Sequence, residues 1–329
     1  MTSASVVDTA DALVALLDSA QSRVRFTELG AMLSALDERE GGEAFFTSAV
    51  ASEPLATAQA ILEWQRVEQL RAKGSRVSAV LVEPDAWETL RCAERPGEYT
   101  WWRDALATDS VDFTAWLNER STREGDENAS VEARVLALFE KLRAVVGDSL
   151  ERDFTKLSPE QLAAWEAGDE LGRDDLFALD DDDDTDHESD PSTNGVATLR
   201  LAPSPYSAGV DERAVLRSFA GRGKVHVVVL ACDPWETLAL LGFGAFNDCP
   251  SPALHAAAFA RWHNEYGARP LLLGQATIDA IVSKPPETLR ALATLVSEQL
   301  AYAPDAASDG VLALAWALFQ CGGWGFWWD

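Results

Sequence analysis

Cys249, His255 and His263 fall close together in a chain that holds only four cysteines and four histidines. A histidine beside a cysteine can take up the thiol proton and leave a nucleophilic thiolate, the opening step of covalent acyl transfer. Asp248 is placed to orient an imidazole, and Glu236 upstream is a candidate acid. His255 and His263 are eight positions apart, which on one helix separates them by about 80° around the axis. These five residues are the candidates for catalysis. Packing offers a plainer account of the same residues. Asn247-Asp248-Cys249-Pro250 makes a turn and a helix lead-in, and cysteine is among the residues most often buried. A carboxylate next to Cys249 also opposes ionisation of its thiol. Packing is the expected winner.

The aromatic residues suggest contact rather than reaction. The chain has 12 Trp and runs out on Trp324-Gly325-Phe326-Trp327-Trp328-Asp329. An exposed indole is a liability unless a partner covers it, and Trp and Tyr are enriched among binding anchors. Trp235, Phe246, Asn247, Trp262, Trp327 and Trp328 are therefore the candidate binding residues. Recognised catalytic motifs are missing: there is no phosphate loop, dinucleotide-binding glycine pattern, nucleophile elbow or HExxH. Gly242-Phe243-Gly244 lacks the spacing and the basic residue of a phosphate loop. Neither a cofactor nor a metal is expected, since typical structural zinc spacings are absent.

Elements that position these residues can be read from periodicity. Thr9 to Gly74 reads as helical, with Leu13, Leu16 and Leu17, then Leu29, Leu33 and Leu36, then Ile61, Trp64, Val67 and Leu70. Val77 to Val82 and Val225 to Leu230 read as buried strands. Helical spacing marks Val131 to Val146, Ser158 to Trp165 and Glu212 to Ala220. Pro252 to Tyr266 is a helix with Ser251 as N-cap and Gly267 as its stop. Leu271 to Leu273 and Thr277 to Val282 are short strands around Gly274. Pro286 to Tyr302 and Val311 to Phe319 are helices, and Trp324 to Trp328 is a final strand. Such alternation predicts an α/β layered fold, with α+β as the alternative.

The two strong strands belong to a repeat. At an offset of 148, Val77, Val80, Asp85, Trp87, Glu88, Thr89 and Leu90 match Val225, Val228, Asp233, Trp235, Glu236, Thr237 and Leu238. The first half thus reads as a diverged relative of the second, and the two strands are expected at equivalent places in two superposable sheets, with Trp87 and Trp235 packing alike. A tryptophan–glutamate pair that recurs without the cysteine and histidines is expected to be structural.

Charge sets limits on partners. The net charge is −27, and twelve acidic residues against one basic residue lie between Asp169 and Asp190. A surface of this sign does not bind phosphate backbones, which require Lys and Arg. It fits a basic protein partner or mimicry of nucleic acid. Residues 169–195 read as an acidic, flexible linker open to protease between about Leu179 and Val196, joining a helix-rich α/β domain (1–168) to a C-terminal α/β domain (196–329). The first thirty residues lack the pattern of a signal peptide, and no run approaches the roughly 20 apolar residues of a membrane span. With scattered cysteines and no CxxC pair, a cytoplasmic location is expected.

From Val225 to Asp329 the chain resembles a bacterial domain of unknown function, the family numbered 4253. The residues that carry the likeness are the strand into Pro234-Trp235-Glu236, Phe246-Asn247-Asp248-Cys249-Pro250, and Trp262 to Gly267. Ser283-Lys284-Pro285-Pro286, Glu298 to Asp305 and the aromatic end complete it. Ala245-Phe246 stands where such domains carry Gly-Trp. The resemblance implies a fold and a bacterial origin, and no activity. A non-catalytic cytoplasmic protein-binding role, immunity-type or regulatory, is the expected function. The alternatives are a thiol-dependent enzyme using Cys249 with His255 or His263, and an acidic nucleic-acid mimic.

Overall fold

The computed structural model describes residues 10–19, 26–28, 48–91, 112–123, 136, 216, 219, 221–307, 311–320 and 322–328. It divides into two compact units that do not follow the halves of the chain. Met1–Phe113, Arg213–Ile281 and Trp327–Asp329 form the first, and Thr114–Glu212 with Val282–Phe326 form the second.

The first unit is an α/β layer structure. Its elements are α1 (Ala10–Ser19), β1 (Phe26–Glu28), β2 (Ser48–Ala51), β3 (Leu55–Ala56), α2 (Thr57–Ala72), β4 (Ser78–Val82) and α3 (Pro84–Arg91). After these come β5 (Lys224–Leu230), a 3₁₀ turn (Pro234–Glu236), α5 (Thr237–Leu241), α6 (Pro252–Tyr266), β6 (Arg269–Leu273) and β7 (Thr277–Ile281). α4 (Phe113–Arg123) starts where this unit ends. The strands run in the order β1-β2-β5-β4-β6-β7, with β3 also pairing β5. β4 is antiparallel to β5 and parallel to β6. A strand from the first half of the chain therefore lies between two strands of the second half.

Both faces of this sheet are covered, which is why β4 and β5, apart from Ser78, Lys224 and His226, read as apolar runs rather than alternating ones. Ala79, Leu81, Val225, Val227 and Val229 join one core with Leu13 and Leu17 of α1 and Ile61, Trp64 and Val67 of α2. Val80, Val82, Val228 and Leu230 point the other way and are equally buried. On that side Trp87 of α3 stacks on His226, ring centroids 5.2 Å apart. Each such side chain contributes about 1.5–3 kcal/mol on burial.

Local signals set several boundaries. The Ser251 hydroxyl accepts from the Leu254 amide at 3.3 Å, and Pro252 opens α6 with its preset φ. Gly267 ends the helix at φ +65°, a left-handed conformation that a β-carbon would penalise. Leu216 and Phe219, the described residues of 212–220, are helical and buried.

Three expectations need correction. Thr9 to Gly74 is not continuously helical, because β1, β2 and β3 interrupt it. Strands of two to four residues are too short to leave a period in a leucine-rich stretch. The tryptophan–glutamate pair does not close a strand; it lies in the 3₁₀ turn, capped by Asp233. Nor do the matching strands occupy two separate sheets. β4 and β5 lie side by side, with Val80 directly opposite Val228, its equivalent at the offset of 148. Ser78 faces Leu230 and Val82 faces His226, as a local two-fold axis through that valine pair requires. Sequence likeness reports that two strands are similar and carries no information on whether they pair. The tryptophans differ in turn: Trp87 is buried on His226 of β5, whereas Trp235 is half-buried on His263 of α6.

The second unit contains α7 (Leu289–Tyr302), a 3₁₀ turn (Pro304–Ala307), α8 (Val311–Gln320) and most of β8 (Gly323–Trp327), with the greater part of α4. Thr288 caps α7, accepting from the Ala291 amide at 3.1 Å. The helix starts three residues after Pro286. Tyr302 meets Phe326 edge-on at 5.1 Å, and both are buried. The expected helices at Val131–Val146 and Ser158–Trp165 lie outside the described residues, apart from the buried helical Leu136, and so does the acidic stretch 169–195. No helix among the described residues is long and apolar enough to cross a membrane.

Candidate functional site

Helix α6 carries the candidate chemistry at its two ends. Its first turn presents His255, and its last presents His263, about 12 Å further along the axis. The sequence groups these histidines as alternatives for Cys249, and the structure chooses between them. The Cys249 Sγ lies 3.4 Å from the His255 Nε2, while His263 sits in a different environment.

The Cys249–His255 pair is enclosed. His255 is 0% exposed and Cys249 6%. Phe243 and Trp328 lie against the imidazole, each at 5.6 Å between centroids. Gly244 presses its backbone on the ring from the loop side: a β-carbon there would collide with the Pro250 carbonyl and come within 2.7 Å of His255 Nε2. Gly244 also has φ +119°. Gly244→Ala should therefore lower the thermal unfolding midpoint by several degrees, because neither a carbonyl nor a caged ring can give way cheaply. A variant that melts within a degree of the parent would contradict this packing.

Burial sets the protonation of the pair. It pushes the Cys249 thiol well above its ordinary range and the His255 imidazole down to about 3. Near neutrality both groups are uncharged. A thiolate–imidazolium pair, the reactive form in thiol catalysis, is opposed on both sides. Asp248 is exposed on the neighbouring turn and has no contact with the ring that would offset this.

At the other end of α6, Trp235 packs at 4.9 Å on His263, whose Nδ1 donates to the Ala268 carbonyl at 3.0 Å. Burial lowers the His263 pKa, and Arg71 and Arg269 lower it further, against the opposing pull of that hydrogen bond and of Glu68. Trp235 is held from below. Glu236 accepts from the Asp233 amide at 2.8 Å and from Arg76 at 2.7 Å, and Arg76 also reaches Asp233 at 3.0 Å. The Glu236 carboxylate is thus engaged in bracing a turn.

Of the six candidate binding residues, Trp262 and Trp328 are buried, at 0% and 1% exposure. They belong to the core: Trp262 packs edge-on against Phe113 and Phe259. Aromatics clustered by helical and strand spacing fill an interior first. Trp235, Phe246 and Trp327 stay partly exposed, and Asn247 is exposed.

Two polar groupings escaped the sequence reading. Glu68 joins Arg71 and the nearly buried Arg269, whose guanidinium lies 5.2 Å over the Trp64 ring. Asp279 on β7 pairs with Arg222 at 2.7 Å, and burial raises its pKa despite that arginine. Both join residues distant in sequence, so no motif announces them.

Comparison with known proteins adds one finding. Residues 225–329 match the family model described as "Domain of unknown function (DUF4253)". That match begins at β5 and spans the last third of the chain, including the Cys249–His255 pair, α6 and the aromatic end. No curated protein and no solved structure matches the chain.

Proposed function

We propose that this chain is a non-catalytic protein-binding protein of a bacterial cytoplasm, of the immunity or regulatory type. The observation that carries the reading is the state of its best nucleophile–base pair: Cys249 and His255 are in contact, enclosed and held neutral. A site built for thiol chemistry would need the opposite shifts. The partly exposed aromatics then gain importance. Trp235 is a preorganised anchor, fixed by a capped turn and an imidazole behind it, and ordering it on binding costs little. The overall charge favours a basic partner through faster encounter.

The test is a matched set of variants. Trp235→Ala should weaken retention of the native partner by about tenfold or more while the unfolding midpoint barely moves. Cys249→Ala should leave that retention and the cellular function intact. Loss of function in a fully folded Cys249→Ala protein, with native thiol labelling faster than free cysteine at neutral pH, would overturn the proposal in favour of the thiol-enzyme reading. The specific observation favouring that second reading is the 3.4 Å contact itself. Mimicry of nucleic acid rests on the acidic stretch 169–190, which lies outside the described residues.

A further inference from the structure

The ladder between β4 and β5 maps onto itself when the two strands trade places. Many registers are open to two short antiparallel strands, roughly ten here, and one of them sets sequence equivalents face to face. That one is present: Val80 lies opposite Val228, its equivalent at the offset of 148. Ser78 faces Leu230 and Val82 faces His226, while Ser78 is the equivalent of His226 and Val82 that of Leu230. A second β5 in the place of β4 would therefore meet the first with Val228 on the axis and His226 facing Leu230 on both sides. This is the self-complementary arrangement of an isologous interface.

The surroundings obey the same axis. The helix ahead of each strand lies on one face, where Ile61, Trp64 and Val67 of α2 share a core with the helical Leu216 and Phe219. A left-handed glycine leads into each strand, Gly74 at φ +98° and Gly223 at φ +94°. The helix after each strand crosses to the other one: α3 lies against β5, and α5 against β4. Charges cross in the same way. Arg76, ahead of β4, holds Asp233 at 3.0 Å and Glu236 at 2.7 Å in the turn after β5. The equivalent of Arg76 is Lys224, and those of the carboxylates are Asp85 and Glu88, so every charge keeps its sign. The symmetry stops at the flanking strands, since β2 runs antiparallel to β5 whereas β6 runs parallel to β4.

We infer that residues 57–91 occupy, within one chain, the place of a second copy of the helix–strand–turn unit around β5, and that the surface β5 turns towards β4 is built to pair with its own kind. The partner this surface fits is another 224–238 segment: its strand completes the ladder, and its Lys224 meets Asp233 and Glu236 where Arg76 now stands. A partner tethered in the same chain is present at a far higher effective concentration than any free copy, so the surface is filled internally. The pairing is independent of the binding role proposed above.

The experiment moves these segments within the full-length chain. One variant carries a copy of residues 224–238 in place of 76–90, a second carries a copy of 76–90 in place of 224–238, and a third exchanges the two. Each single transplant creates new facing pairs and should lower the thermal midpoint by roughly 5–10 °C, because it alters the volume of packed residues such as Ala79 and Ser78. The exchange restores the original pairs about the axis: the copy of His226 at position 78 faces the copy of Val82 at position 230, as His226 faces Val82 in the parent. Its loss should therefore be clearly smaller than the two single losses added together, whereas unrelated strands would give additive losses. If neither single transplant unfolds cooperatively, a cooperative transition in the exchange variant supports the inference on its own. Additive losses, or an exchange variant without a cooperative transition, would overturn it.

Discussion

Cut once between residues 180 and 195, the chain should stay associated under native conditions and separate only in denaturant. The reason is the place of β4. Its backbone is bonded to β5 on one side and β6 on the other, and Ser78 to Val82 are all buried. Removing that strand leaves two unpaired edges facing each other across a gap, one of them the apolar Val225–Leu230. A protease site inserted into the acidic stretch makes the measurement simple. Both fragments should elute together after cleavage and unfold in one transition. Residues 196–329 produced alone should aggregate or lack cooperative unfolding, although they contain the whole segment that matches the family model. A monomeric, cooperatively melting 196–329 fragment would show that β4 is dispensable and the strand order wrong.

Trp328→Ala should cost about 3–5 kcal/mol, the largest effect expected of any single aromatic change at the chain end. Trp328 is 1% exposed, packs against Phe243 and His255, and donates its amide to the Ala276 carbonyl at 3.1 Å. Its neighbour Trp327 is half-buried, because successive strand residues point to opposite faces. Trp327→Ala should therefore cost well under half as much, and Cys249→Ala about 1 kcal/mol, since a small buried side chain leaves a small cavity. Denaturant unfolding of the three variants gives the ranking directly. Equal losses for the two tryptophans would mean that the alternation has been misread.

The contrast between these residues shows what could be read in advance. Helix α6 was legible to its ends, because Ser251, Pro252 and Gly267 are boundary signals whose effect is local. β5 was legible because four valines and a leucine within Val225–Leu230 have one good use in a soluble fold. The meeting of Cys249 with His255 was legible as a spacing. Its burial was not, since that depends on Trp328, some seventy positions away, and on a glycine whose role is to have no side chain. β2 was invisible: Ser48–Ala51 becomes a strand through β5, its partner across the sheet, and not through its own preference. The matched strands illustrate the same limit. Their likeness could be seen, while the pairing of one with the other depends on the chain returning across a long separation.

That return has a consequence during synthesis. Ser78 bonds to the Cys232 carbonyl 154 positions later in the chain, so β4 leaves the ribosome long before either strand that will flank it. At about 5–20 residues per second, the wait is on the order of ten seconds. Throughout it, a short apolar strand has both hydrogen-bonding edges open, the condition under which nascent chains associate with one another. The many carboxylates made in that interval, the run Asp180–Asp184 among them, give every waiting chain the same sign of charge. Mutual repulsion between copies is then a protection that operates before there is any fold to protect.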